Sequence, residues 1–186
     1  MSITSTAAGP TTREAIAASA RTMFAERGFT ATSVRAIAAA AGADPALVIR
    51  HFGSKEQLFL EVLGPTRAPG PELEGPLAEL GRTLVAYVLD PARDAERRAY
   101  ATMVQASDNE AVRATLRTAA RTSFIDRLTA RLPGADAAVR AELIGAQIGG
   151  LMQAWPTIEP LLGAVGRARA VDLYGASVQA LVDGSH

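Results

Sequence analysis

Cysteine is absent from the 186 residues, so no disulfide, thiolate nucleophile or thiolate metal site can form. Histidine occurs only at His51 and His186, so a nucleophile–histidine pair would have to recruit a residue from the middle of a predicted helix. Glycine-rich phosphate loops and the HExxH and EF-hand patterns are missing. Acidic pairs such as Asp94 and Glu96 stand two apart on a predicted helix and do not face each other. Catalysis, a resident metal and a cofactor are therefore not expected. Long apolar runs are lacking too. In the apolar C-terminal third the longest uncharged stretch, residues 143–158, carries Gln147, Gln153 and Pro156, which is short and polar for a bilayer helix. The opening MSITSTAAGP has neither a basic start nor an apolar core, so no secretory leader and no membrane partner are expected, and a cytoplasmic location is.

Net charge is also missing, 19 basic residues standing against 19 acidic ones, which argues against a partner held by bulk electrostatics alone. Lysine occurs once, at Lys55, and the other 18 cations are arginine; alanine fills 39 positions. GC-rich coding accounts for both biases. Alanine is the best helix former and aromatic residues make up only 5%, so an all-α fold is expected.

Residues 1–10 read as a flexible arm. From Thr12 the apolar positions Ile16, Ala20, Met23 and Phe24 recur at helical spacing until Arg27-Gly28, a basic last turn and a glycine suited to the left-handed stop. Thr32 or Ser33 can cap a short second helix that turns Val34, Ile37, Ala38 and Ala41 inward and ends at Gly42. Asp44 is a good N-cap and Pro45 a good first residue for a third helix running to about Phe52. Ser54-Lys55-Glu56-Gln57 forms a capping box that opens a fourth helix through Phe59, Val62 and Leu63. Gly64, Pro65, Pro69, Gly70 and Pro71 then mark a Pro/Gly-rich linker at 64–73. Beyond it no window alternates like a strand. Helices are predicted over 74–89, about 92–106, 109–131 with a break near Thr118, 135–155 ended by Pro156, and 166–182, which brings the total to about nine.

Two short helices across a glycine turn, buttressed by a preceding helix, form a helix-turn-helix, the motif that lays its second helix in the DNA major groove. The run TSVRAIAAAAGADPALVIRHFGSKEQLFLEVL, residues 32–63, strongly resembles the DNA-binding domain of the TetR (tetracycline repressor) family. REAIAASARTMFAERGFTATSVRAIA extends the similarity back to about residue 12. The matched details are Arg27-Gly28-Phe29, Thr32-Ser33, Ala41-Gly42, and His51-Phe52 followed by Ser54-Lys55-Glu56. The resemblance implies a helix-turn-helix DNA-binding domain at 11–63 and a helical ligand-binding and dimerisation domain at 74–186. The function implied is that of a repressor released from a near-palindromic double-stranded operator by a small-molecule effector. The competing reading is a helical sensor or adaptor that has lost DNA binding.

If the third helix enters the groove, Val48 and Phe52 share its buried face and Pro45, Ala46, Leu47, Ile49 and Arg50 point outward. Arg50 is the candidate for a base edge or phosphate. Leu47 and Ile49 depart from the family pattern, which is usually polar here and most often tyrosine at the position of Ile49; a thymine methyl would suit them. Lys55 lies in the first turn of the fourth helix, where the dipole favours an anion, and reads either as a phosphate clamp or as a solvated cation. By resemblance Ser33 and Arg35 contact the DNA backbone, and His51 either reaches a phosphate or orders the helix end. Asp44 is assigned to capping. Residues 12–63 carry six cations and five anions, too little to coat DNA indiscriminately.

In the C-terminal part, residues 143, 144, 147, 148, 151, 152 and 155 form one apolar stripe, and Val171, Tyr174, Val178 and Leu181 step like a coiled-coil seam. Gly145, Gly149 and Gly150 inside a helix call for a closely apposed helix. Resemblance puts homodimerisation here, through Gly145, Ile148, Gly149, Met152, Val171, Tyr174, Val178 and Leu181, with closure of the chain's own core as the alternative. Tyr100, Met103, Phe124, Met152 and Trp155 are the candidate effector-pocket residues, each also suited to ordinary core. Arg97, Arg98 and Arg121 read first as solvated helix faces and second as partners of an acidic ligand.

Overall fold

Thr11 opens helix α1 (Thr12–Ala31). Its hydroxyl accepts from the Glu14 N–H at 3.3 Å while its own N–H donates to the Glu14 carboxylate at 2.8 Å. This reciprocal box satisfies donors that a helix start leaves free, and the Thr11 N–H foremost, with the Thr11 hydroxyl donating to the same carboxylate at 2.9 Å, holds the Glu14 carboxyl below its usual range. Gly28 breaks the helix at φ 75°, where the sequence places its end, and one further helical turn reaches Ala31. Thr32 is buried and donates its hydroxyl to the Gly28 carbonyl at 2.8 Å. That leaves Ser33 to cap α2 (Val34–Ala40), its hydroxyl accepting from the Ala36 N–H at 3.1 Å.

The computed structural model describes residues 10–64 and 73–184; all but the end residues of the predicted arm and linker lie outside them. Two compact units divide after Gly64. In the first, α2 closes on a Schellman motif: the Ala43 N–H donates to the Ala38 carbonyl at 2.9 Å and the Gly42 N–H to Ala39 at 3.2 Å. Gly42 takes φ 63°, which a side chain would resist. Asp44 then caps α3 (Pro45–Phe52), its carboxylate accepting from the Ala46 N–H at 2.7 Å. Ser54 caps α4 (Lys55–Leu63) through the Gln57 N–H at 3.1 Å. The core of this unit joins Ile16, Ala20 and Phe24 of α1 to Ile37, Val48, Leu58 and Phe59, all fully buried. Phe59 meets Phe24 and Phe29 edge-on, each at 4.9 Å between ring centres. Arg13 ties α1 to α4 through Glu61 at 2.6 Å and lies 4.8 Å over the Phe52 ring.

The second unit contains α5 (Leu80–Leu89), α6 (Asp94–Gln105), α7 (Glu110–Ala120), α8 (Asp126–Thr129) and α9 (Ala137–Asp183), with no strand among the described residues. The fold is all-α with nine helices in the described residues. Three boundaries differ from the sequence reading. The helix placed at 74 starts at Leu80 behind a 3-10 turn over Leu77–Glu79, because Pro76 keeps the residue before it out of helical geometry. The break placed near Thr118 falls at Arg121–Ile125, a wider helical turn, where Thr122 and Ser123 donate their hydroxyls to the carbonyls of Thr118 and Ala119 and so loosen the α-helical ladder. Pro156 does not end its helix. α9 runs through Pro156 and Pro160 and breaks at Gly163, φ 65° and ψ −169°. A helix-interior proline costs roughly 3 kcal/mol, yet the helical turns persist to Gly163 through residues that are exposed or half-buried.

The core of this unit lies between α5 and α9. Their backbones touch: a methyl on Gly81 would lie 2.5 Å from the Gly175 carbonyl oxygen. The Gln179 side chain accepts from the Gly81 N–H and donates to the Leu77 carbonyl, both at 2.9 Å, and thereby partners groups at the start of α5. Two arginines are buried. Arg140 donates to the Leu181 and Val182 carbonyls at 2.8 Å and to Asp136 at 3.0 Å, which stitches the start of α9 to its last turn. Arg97 donates to the carbonyls of Val88 and Asp90 and pairs with Asp94. It is a cap for α5 and not a solvated face.

Candidate functional site

The turn between α2 and α3 is held from both sides, by the Schellman motif before it and the Asp44 cap after it, so the outward face of α3 is set by backbone bonds. Val48 and Phe52 anchor the inner face, 0% and 5% exposed. Pro45, Ala46, Ile49, Arg50 and His51 are exposed and Leu47 is half-buried. Ile49 keeps 46% of its surface open. Among the described residues Arg50 and Arg35 form no ion pair, so both guanidinium groups are free for an outside acceptor. Ser33 and Arg35 are exposed at the start of α2, with the Ser33 hydroxyl already engaged as cap. Ser33→Ala is expected to lower thermal stability by about 1 kcal/mol whatever its effect on a ligand, and a melting curve of the unliganded protein checks it.

Lys55 is placed differently from a free clamp. Its Nζ stands 4.2 Å from the centre of the Phe29 ring. Partial burial pulls its pKa below the ordinary lysine value, opposed by the neighbouring Glu56 carboxylate. The lysine thus binds α4 to the end of α1 while keeping a charge at the first turn of a helix. His51 is exposed, its ring 6.3 Å from that of Phe52. Asp44 caps, as expected.

Part of the seam expected to join two copies is used inside the subunit. Val178 is fully buried, Ile148 and Val171 are 6% and 9% exposed, and Met152, Tyr174 and Leu181 pack against the same core. The glycines do admit close neighbours, but of their own chain: a methyl on Gly145 would lie 2.5 Å from Ile125 Cδ1, and one on Gly149 2.5 Å from the Tyr100 hydroxyl. These stripes close the α5–α9 core because burial follows tertiary packing, which a helical repeat alone does not specify. The open apolar residues are Val139, Leu143, Leu161, Leu162 and Leu173, and of these only Leu143 lies on the expected stripes. The signal for others was present in Val139, Leu143, Ala146 and Gly150, a second small-apolar row at spacings of three and four.

Of the pocket candidates, Tyr100 and Phe124 reach α9 at Gly149 and Gly145, with Met152 beyond them and Met103 and Trp155 buried. Burial raises the Tyr100 pKa above the ordinary phenol value. Arg98 is exposed, and Arg121 lies 3.6 Å from Asp126 and 3.9 Å from Glu142. Among the described residues no group of three or more acidic or histidine side chains could hold a metal ion, and no helix is long and apolar enough to cross a membrane.

A capped three-helix unit with an anchored, outward-facing third helix has the helix-turn-helix arrangement. Residues 16–62 match the family described as bacterial regulatory proteins, tetR family, and residues 78–182 match the tetracyclin repressor-like C-terminal domain. The chain belongs to the TetR family, whose members bind DNA and typically dimerise. An HTH-type transcriptional repressor of Mycobacterium tuberculosis is 42% identical over 95 residues, which cover 44% of this chain and 50% of that protein. The chain spans about half the length of the curated relatives it matches. Among solved structures, NalD of Pseudomonas aeruginosa, the secondary repressor of the MexAB-OprM multidrug efflux pump, aligns with a TM-score of 0.65 at 26% identity, covering 90% of this chain and 94% of NalD. A transcriptional regulator from Rhodococcus sp. RHA1 aligns with a TM-score of 0.70 at 25% identity, covering 90% and 96%.

Proposed function

We propose that the chain is a transcriptional repressor that binds a near-palindromic operator as a homodimer and is released by a small molecule held in its C-terminal unit. The observation that carries the reading is α3, whose inner residues Val48 and Phe52 are buried while Arg50 and Ile49 stand open on the opposite side. Arg50 supplies a bidentate contact to guanine, and Ile49 with Leu47 supplies an apolar surface for thymine methyls. Ser33, Arg35, His51 and Lys55 hold phosphates, and Pro45 and Ala46 let the helix start approach the groove closely.

A domain with one net positive charge over residues 12–63 gains little from phosphate neutralisation alone, so two copies reading two half-sites supply the missing contacts. Val139, Leu143 and Leu173, 62%, 49% and 57% exposed, are apolar surface that a second copy would cover. The Mycobacterium tuberculosis relative and NalD, both repressors, support the direction of control.

The test is retardation of a DNA fragment from upstream of the protein's own gene. The wild type is expected to retard it, less so as salt rises, and Arg50→Ala to weaken binding by about 5- to 150-fold, since each bidentate arginine–guanine pair is worth about 1–3 kcal/mol, with an unchanged melting temperature. Equal binding by the two proteins would refute the groove assignment. Failure of the wild type to select any genomic fragment would favour the sensor or adaptor reading.

A further inference from the structure

Two hydrogen-bond donors in the second unit stand together without acceptors. Trp155 is 1% exposed, and its Nε1 is buried with no partner among the described residues. The Arg167 guanidinium carbon lies 6.0 Å from the centre of the Trp155 ring. One arm of Arg167 pairs with Glu159; the other, Nη1, is buried with no partner among the described residues. A buried donor left unpaired is costly, and native structures nearly always supply it with an acceptor. Two orphaned donors on neighbouring side chains lack the same thing, an acceptor.

Charge narrows the class. Arg167 is already neutralised by Glu159, so the demand is for lone pairs and not for a second negative charge. A second carboxylate would bring one uncompensated charge against the buried indole ring, where desolvation opposes it. A carbonyl oxygen has two lone pairs and no charge, one for each donor. The donors also come from either side of the Gly163 break in α9, so one oxygen accepting from both would tie the two halves of that helix together.

We propose that Trp155 and Arg167 form the polar end of the effector site and accept a neutral carbonyl oxygen, that of a ketone, ester or amide carried on an apolar body. The proposal rests on the effector-release reading above and names its ligand class. Trp155 is the sole tryptophan, so intrinsic fluorescence reports from this place alone.

The test titrates three probes into the full chain: cyclohexyl methyl ketone, isopropenylcyclohexane, which has the same shape with CH2 in place of oxygen, and cyclohexanecarboxylate. The ketone is expected to give a saturable shift in Trp155 emission, with affinity at least about tenfold above both others, the scale of hydrogen bonds to a charged donor. Arg167→Met is expected to lower ketone affinity to that of the alkene and leave alkene affinity unchanged. Trp155→Phe, followed by calorimetry, should lose part of the same preference, and it keeps the test open if the arginine variant fails to fold. Equal ketone and alkene affinities, tighter carboxylate binding, equal loss for ketone and alkene in Arg167→Met, or no saturable response to any probe would each overturn the proposal. Retardation of DNA separates the two readings. Ketone binding that leaves retardation unchanged supports the acceptor site and refutes its coupling to DNA; Arg50-dependent retardation with no ketone preference refutes the acceptor site alone.

Discussion

Phe59→Ala is expected to destabilise the N-terminal unit by about 3–5 kcal/mol, the range for removing a large aromatic side chain from a packed core. Phe59 has no exposed surface and is the shared neighbour of two other rings, Phe24 and Phe29. Its loss removes two edge-on ring contacts along with the buried area. It also frees Phe29, over which the Lys55 ammonium stands, so the start of α4 loosens at the same time. A small helix-turn-helix unit has only about 5–15 kcal/mol in total, so much of its stability would go. Thermal and urea unfolding of the variant check the value, and a midpoint within a degree of the wild type would show that the three-ring cluster is not the core of the unit. DNA retention should fall with folding, in contrast to Arg50→Ala, which should lose DNA with the fold intact.

The double substitution Leu143→Arg with Leu173→Arg tests the dimer. Both side chains are exposed within the subunit, 49% and 57%, so an arginine fits there without entering the core, and the melting transition of the subunit core should persist. A twofold interface uses the same patch of both subunits, so four new cations would be gathered into it with no partner. Sedimentation at micromolar concentration is expected to change from dimer to monomer. Operator binding should weaken by about 10²–10⁴-fold, the factor that joining two reading heads ordinarily contributes. A variant that remains dimeric would place the interface elsewhere on the chain, and one that is monomeric but binds DNA unchanged would show that pairing is not needed for recognition.

Much of the N-terminal unit was legible because its signals are local. Asp44-Pro45, Ser54 with Gln57, and the Ala41-Gly42 turn act through backbone bonds between residues two to five apart, and the structure forms them, except that the expected Ser54 capping box is half made: the Gln57 N–H donates to the Ser54 hydroxyl while the Ser54 N–H goes to the Phe52 carbonyl. Lys55 was the exception in this unit. Its placement over Phe29 joins residues of different helices, and nothing in the local pattern announces it. The C-terminal unit was legible as helices and much less so as surfaces. Ile148 and Val178 step at helical spacing whichever neighbour they meet, so periodicity marks a buried face without saying whether the same chain or a second copy buries it. Pro156 illustrates the same limit. Its intrinsic cost favours a stop, yet the helix continues to Gly163, and no local signal announces it.

From the order of its residues alone, this protein was committed to an all-helical chain with a capped, outward-facing third helix near its start, since caps, turns and helical propensity work over a few residues and need no distant partner. Its folding in three dimensions decided which apolar stripes close the subunit, that Arg97 and Arg140 are spent on helix ends, that α9 breaks at Gly163, and that Trp155 and Arg167 are brought side by side with donors to spare. Those outcomes depend on competition between burial and hydrogen bonding among residues far apart in the chain, and that competition is resolved only when the helices pack.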